Sequence, residues 1–300
     1  MNVIECVPNV SEGRSGAHVD AIAGAVASTP GVHLLDRSSD VAHNRSVLTF
    51  AGDAGSLLAA VLALFRAALP LIDLGLQRGA HPRMGAVDVV PFVPLASTPM
   101  AECVALAREA GAAIAATFDV PVYLYEEAAV VPERRRLEWI RRGEFEGLAS
   151  KMMSREWTPD FGPAAPHPTA GATAVGARQA LIAFNVNLRS SQLDVAKAIA
   201  RRVRESSGGL PYVKALGLPL RNRDVVQVSM NLTNYEATPI ERAFDAVAAC
   251  AREGGVDVLE SELIGLIPAA ALANTTPEHL KLRDFSIDCI LEERLRRRGL

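Results

Sequence analysis

The sequence has little net charge. Thirty-one Lys and Arg face 34 Asp and Glu, a formal balance of −3, so there is no electrostatic footprint for nucleic acid. Cysteine is scarce: Cys6, Cys103, Cys250 and Cys289 lie far apart with no C-x-x-C pair. That excludes a disulfide frame or a thiolate zinc site and reads as reduced thiols. No stretch approaches the roughly 18 uninterrupted apolar residues of a membrane span. The start, MNVIECVPNV, lacks the basic and apolar regions of a signal peptide. A soluble cytoplasmic protein is expected, with no membrane partner. Missing motifs exclude further classes. Without H-E-x-x-H, H-x-x-x-H or a Cys/His cluster no metal is expected. Without G-x-S-x-G, Walker A or a post-strand G-x-G-x-x-G, hydrolase, nucleotidase and dinucleotide-binding readings weaken.

What is present is core material. Half of the 300 residues are apolar (49%), and a chain of this length favours two domains. A strand–helix–strand plan recurs. Val3 to Val10, a helix from Ala17 to Ser28 and Val32 to Asp36 form the first copy. Val87 to Leu95, Met100 to Phe118 and Val120 to Tyr125 form the second, its helix entered through Ser97-Thr98-Pro99, where a hydroxyl can cap free N–H groups. The back half repeats it as Leu181–Leu188, Leu193–Glu205, Tyr212–Leu216, and as Val225–Leu232, Pro239–Glu253, Val256–Leu263. Between the first two copies lie an apolar segment, Ser46–Phe50, and a helix, Ala54–Leu71. An amphipathic helix, Leu282–Arg297, closes the chain. The expected fold is α/β (α+β): two sandwich-like subdomains, each a small mixed sheet with helices packed on one face. The division falls as 1–178 and 179–300. Residues 158–178, rich in Pro, Gly, Ala and Thr without helical or alternating pattern, read as a linker.

Two strands have an unusually polar face. In LIAFNVNL, Asn185 and Asn187 oppose Phe184, Val186 and Leu188; in VQVSMNL, Gln227, Ser229 and Asn231 oppose the apolar set. Plain solvent exposure explains this, and so does a groove for a hydrogen-bond-rich molecule, since amides supply donors and acceptors at fixed positions.

Among six histidines, His81 is distinguished by its company in RGAHPRMGAVDVVPFVP. Gly79 permits unusual backbone angles, Pro82 fixes φ, and Arg78 and Arg83 flank the imidazole. A rigid polar loop entering a strand is where function sits; the alternative is an ordinary turn with a solvated ring. SSDVAHNRSV places Asp40, His43, Asn44 and Arg45 before another strand. The basic run Arg134–Arg136 reads as a solvated helix face.

ECVPNVSEGR, NRSV, GAHPRMGAVDVVPFVP, PVYLYEEAA, RRGEFEGL, DFGP, VGARQALIAFNVNL, QVSMNLTNYEATP and SELIGLIP occur in that order. On these nine motifs the chain resembles the folate-dependent formiminotransferase family from Glu5 to about its end. The resemblance covers the transferase and no cyclodeaminase. It implies two α/β subdomains with a folate groove between them, a homodimer, and transfer of a formimino group from N-formimino-L-glutamate to tetrahydrofolate as co-substrate, without a metal. His81, in the G-x-H-P-R motif, is then the catalytic residue. The folate-binding stretch after DFGP falls on Gly162, Pro163, Ala164, Ala165, Pro166, His167, Pro168, Thr169, Ala170 and Gly171. Further expected substrate or groove contacts are Asp40, Asn44, Arg45, Arg83, Asn185, Asn187 and Asn231.

In that reaction an amine attacks an amidine carbon, the incoming nitrogen loses a proton and the leaving nitrogen gains one. Histidine, with an ordinary pKa near 6.5, suits the shuttle, and Arg78 and Arg83 are expected to depress the pKa of His81. Juxtaposing two substrates contributes at least as much. Arg45 and Arg83 are candidate carboxylate clamps; for Arg45 an ion pair with Asp36 or Asp40 is the alternative. With aromatics at 5%, the pterin wall is not obvious, Phe161 and Tyr235 being the candidates. Related readings are formiminoglycine or 5-formyltetrahydrofolate chemistry on the same site, and a non-catalytic folate-binding protein.

Overall fold

A computed structural model describes residues 2–41, 43–79, 81–220 and 223–300. The chain divides into two compact units, Met1–Arg178 and Gln179–Leu300. Among the described residues no helix is long and apolar enough to cross a membrane.

The first unit contains β1 (Ile4–Cys6), β2 (Asn9–Val10), α1 (Gly16–Ala27), β3 (His33–Asp40), β4 (Arg45–Gly52), α2 (Ala54–Ala68), β5 (Val87–Pro94), α3 (Met100–Phe118), β6 (Val122–Glu126), α4 (Leu137–Ile140), α5 (Glu144–Met152) and β7 (Thr173–Ala177). β1 and β2 both pair with β4 and β5. They act as one strand interrupted at Val7-Pro8, where proline has no N–H for the ladder. The sheet therefore runs β3, β4, β1/β2, β5, β7, β6; it is antiparallel as far as β5 and parallel through β7 and β6. Leu48, Phe50, Val90 and Phe92 turn toward α1, α2 and α3 in one fully buried cluster. Each such side chain contributes roughly 1.5–3 kcal/mol by leaving water. A smaller cluster lies on the opposite face, where Val89, Tyr123 and Tyr125 meet Ile140 of α4 and Leu148 and Met152 of α5.

The second unit contains β8 (Ile182–Leu188), α6 (Leu193–Val203), β9 (Val213–Leu220), β10 (Val225–Leu232), α7 (Ile240–Glu253), β11 (Val258–Ile264) and α8 (Leu291–Arg297). Its sheet runs β11, β8, β10, β9. Phe184, Val186, Val226, Val228 and Met230 pack against Ile199 of α6 and Phe244 and Val247 of α7.

Two α/β units with helices on sheets are present, but details differ from expectation. The second sheet is antiparallel throughout rather than mixed, because each β-α-β crossover skips one position that another strand fills. The first unit contains the same split plan: β1/β2-α1-β3 is followed by β4-α2-β5. The segment at Ser46–Phe50 and helix α2 thus belong to a repeat, and α3, β6 and β7 extend it. Residues 158–178 are not a linker. Thr173–Ala177 form the fully buried β7, inserted between β5 and β6. Its small residues misled because a strand there has little room: a Cβ on Gly176 would lie 2.4 Å from the Tyr125 carbonyl oxygen. Thr98 does not cap α3; its hydroxyl donates to the Val3 carbonyl at 2.9 Å, and Pro99 occupies the cap without a side-chain bond. The terminal helix is only α8, since Lys281 and Asp284 take left-handed backbone angles (φ 50° and 55°) that interrupt any longer helix.

Candidate active site

β5 is bulged at its start. Asn9 opposes Val89, and Val10 opposes Val87, so Asp88 is the extra residue. A bulge re-aims side chains: Val90 and Phe92 enter the helix-covered core, whereas Asp88 turns to the other face of the sheet, where it is wholly buried yet charged. Its Oδ1 accepts from the Met84 and Gly85 N–H groups at 2.9 and 3.3 Å. Its Oδ2 accepts from Arg45 Nη1 at 2.9 Å and Arg141 Nη2 at 2.6 Å. Burial opposes the charge, but the guanidiniums of Arg141 and Arg45 outweigh it and hold the carboxyl down at about 2.

Two cations share this one carboxylate. Arg45, at the start of β4, also donates from Nε to Asn9 Oδ1 at 2.9 Å. Its burial, then the nearby Arg141, lower its pKa to about 10. Arg141 arrives from the end of α4, and its Nε is buried without a hydrogen-bond partner. The cluster retains one net positive charge.

His81 borders it. Nδ1 lies 2.7 Å from the Pro82 carbonyl oxygen and 3.2 Å from Arg45 Nη1. A carbonyl can only accept, so the shorter contact assigns the proton to Nδ1 and leaves Nε2 unprotonated. Burial first, and then the charges of Arg45 and Arg141, lower the His81 pKa to about 3, with Asp88 opposing them. The depression expected from Arg78 and Arg83 has other sources, because those side chains are engaged elsewhere. Arg78 donates to the carbonyls of Leu74, Gly75 and Gln77. Arg83 is 7% exposed and donates to Glu146 at 2.9 and 3.2 Å and to the Gln77 carbonyl at 3.0 Å. Its guanidinium anchors α5 rather than standing open as a clamp. Ala80, in the same loop, lies outside the described residues.

Across from His81 is His43, with ring centroids 6.0 Å apart and planes perpendicular. Asp40 Oδ2 lies 2.8 Å from His43 Nδ1, and Oδ1 accepts the His43 N–H at 2.7 Å. Asn44 is 6% exposed and ties loops together, its Oδ1 accepting from the Gly13 N–H at 3.0 Å and its Nδ2 donating to the Arg78 carbonyl at 3.3 Å.

The segment Gly162–Gly171 backs onto the His81 loop. The Ala86 N–H donates to the Ala170 carbonyl and the Ala172 N–H to the Met84 carbonyl, at 2.9 and 3.0 Å. Gly171 (φ 68°) is required here, since a Cβ would meet the Met84 carbonyl oxygen at 2.1 Å. His167 Nδ1 accepts from the Ala170 N–H at 3.0 Å. Gly162 to Ala165 and Pro168 are exposed, Pro166, His167 and Thr169 half-buried. Phe161 packs on the helical core near Gly111, and Tyr235 packs on the core of the second unit, so neither is set as a free aromatic wall.

In the second unit the polar strand face carries charge that the alternation of amides did not suggest. Asn187 is fully buried, donates to Glu260 at 3.1 Å and accepts from Gln227 at 2.9 Å. Asn185 donates to Glu262 at 3.3 Å, and Arg283 spans both glutamates. Asn185 and Asn187 thus cross-link strands, while Asn231 is exposed.

The sequence left Arg45 open between a carboxylate clamp and an ion pair with Asp36 or Asp40; Arg45 does form an ion pair, with Asp88, 43 residues away. Sequence reasoning also passed over Arg141, and treated Arg134 as solvated. Arg134 is 5% exposed, bonds Asp160 at 2.8 Å and lies over the Tyr123 ring. Among the described residues no cluster of His, Cys, Asp and Glu could hold a metal ion.

The formiminotransferase domain's N-terminal subdomain matches residues 3–178, and the formiminotransferase domain matches residues 183–296. The chain is 45% identical over 283 residues to the glutamate formimidoyltransferase of Streptococcus pyogenes, covering 94% of this chain and 95% of that relative. It is 45% identical over 297 residues to the glutamate formimidoyltransferase of Thermoplasma acidophilum, covering 98% of each. Against the formimidoyltransferase-cyclodeaminase of Mus musculus it is 43% identical over 276 residues, which is 90% of this chain and 51% of the mouse protein. With both subdomains matched in order, the chain belongs to the formiminotransferase family.

Proposed function

We propose that this protein transfers the formimino group between N-formimino-L-glutamate and tetrahydrofolate. The supporting observation is a neutral imidazole with one free nitrogen, held beside a buried cluster that keeps a net positive charge, in a chain similar along nearly its whole length to glutamate formimidoyltransferases.

N5 of tetrahydrofolate attacks the amidine carbon, forming a C–N bond. His81 Nε2 removes the proton that this nitrogen must shed. The tetrahedral centre collapses by breaking the bond to the glutamate nitrogen, which takes up a proton and leaves. Arg45 and Arg141, balanced by only one carboxylate, attract a carboxylate of the donor and disfavour protonated His81, which keeps the ring in its basic form. The exposed part of the 162–171 segment is where the folate rests in this reading, set against the His81 loop by the Ala170 and Gly171 contacts. The protein acts in the cytoplasm as a homodimer, which analytical ultracentrifugation checks.

The test is to mix protein, tetrahydrofolate and N-formimino-L-glutamate and follow 5-formiminotetrahydrofolate. Turnover is expected, with His81→Asn lowering kcat by about 10²–10⁴-fold. Folate binding without turnover would favour a binding protein, and full turnover by His81→Asn would remove His81 from the chemistry.

A further inference from the structure

The transfer needs a base for the attacking nitrogen and an acid for the departing one. His81 is built for the first task only. Its Nδ1–H is committed to the Pro82 carbonyl, and any proton gained at Nε2 creates a cation beside Arg45, whose Nη1 is 3.2 Å from the ring. An environment that repels that proton makes a good place to pass it on and a poor place to store it.

His43 has the opposite surroundings. Its Nδ1 faces the Asp40 carboxylate at 2.8 Å, and the same carboxylate caps its backbone N–H at 2.7 Å, which fixes the ring. Its side chain is 35% exposed and that of Asp40 is 50% exposed, so both are open to solvent. The perpendicular ring of His81 is 6.0 Å away, centre to centre, within reach of one bridging water. Other charged residues around His43 are Arg45, two residues on; Arg14, whose Nε donates to the Val41 carbonyl at 3.1 Å; and Arg78, whose carbonyl accepts from Asn44. The Arg78 guanidinium is turned to Leu74, Gly75 and Gln77 carbonyls. Of the charged groups named here, Asp40 is the one that meets His43 at hydrogen-bond distance, and its charge is negative. Two titratable groups of one kind in contrasting environments are the pattern by which acid and base roles are divided.

We propose that His43, oriented by Asp40, is the general acid that complements His81 as base; this rests on the transfer reaction proposed above. Protonated His43 donates to the departing glutamate nitrogen as its bond to the amidine carbon breaks. His81 Nε2 meanwhile holds the proton taken from N5, and passes it to neutral His43, directly or through water, which resets both rings with no net proton gained or lost.

The experiment compares pH profiles of kcat for the wild type, His43→Gln and Asp40→Asn, following 5-formiminotetrahydrofolate. His43→Gln is expected to lose about 10²-fold in kcat, to lose the alkaline limb of the profile, and to keep the KM of both substrates within about two-fold. Asp40→Asn, which preserves shape and removes the charge, is expected to lose about ten-fold in kcat with the same KM values. Added imidazole is expected to restore part of the rate of His43→Gly. An active wild type whose His43→Gln variant keeps its kcat and alkaline limb overturns the assignment. So does a loss that appears wholly in KM, or one that imidazole leaves untouched. A wild type without turnover on these substrates overturns the reaction itself, a separate failure.

Discussion

Replacing Asp88 by Asn removes one charge and almost no volume, so its effect isolates the electrostatics of the cluster. The carboxylate is 0% exposed, and the side chains of Arg45 and Arg141 that converge on it are 11% and 14% exposed. Removing one partner of a buried ion pair costs about 3–5 kcal/mol, because the remaining charge stays desolvated. A unit of this size loses about 2–4 °C in melting temperature per kcal/mol, so the first unit's transition is expected to fall by roughly 6–20 °C. Acid supplies a second signature. The folded-state pKa of Asp88, about 2, lies below its ordinary 3.8. The carboxylate therefore adds stability that is present above pH 4 and fades as pH falls through 2, an advantage of about 2 kcal/mol. Thermal unfolding at pH 7 reads the first, and urea unfolding at pH 7 and pH 3, both followed by circular dichroism, reads the second. The gap between wild type and Asp88→Asn is expected to be wide at pH 7 and narrower at pH 3. A melting shift under about 2 °C at pH 7, or a gap that widens in acid, would refute a charged, buried Asp88.

Other outcomes are equally concrete. Gly171→Ala forces a left-handed residue into the Met84 carbonyl, 2.1 Å from the new Cβ; it is expected to cost more than about 3 kcal/mol and to lower folate affinity, read by calorimetry. Asn187→Ala takes one hydrogen bond each from the buried Gln227 amide and from Glu260, which keep their bonds to Glu262 and Arg283; it is expected to cost about 1–3 kcal/mol in the second unit's transition, while a neutral result would mean water replaces both bonds.

Local patterns were readable where one segment determines its own state. α3 spans Met100–Phe118 as its apolar periodicity predicts, and its end at Asp119, with φ 55°, follows from the chain's local chemistry. Elements whose identity depends on distant neighbours were not readable. β7 consists of Thr-Ala-Val-Gly-Ala, which looks like connecting chain until β5 and β6 flank it on both sides. The site behaves likewise. Gly, Pro and Arg around His81 marked an unusual loop, but the charges acting on that ring, Arg45 and Arg141, are brought to it by β4 and α4. Nothing local in Asp88, inside an apolar strand, says which arginines will meet it. Arg78 and Arg83 were adjacent in sequence and looked decisive; their guanidiniums point to backbone carbonyls and Glu146 instead.

The irregular start of β5 has one more implication. Counting back from Phe92 and Val90, even-numbered positions look toward the helices, and an unbroken count would drive Asp88 into hydrocarbon. A single supernumerary residue reverses that parity. Shortening the strand by one position at this point would leave every apolar side chain downstream undisturbed, yet strip both guanidiniums of their shared anion, so the fold could survive a deletion that the chemistry could not.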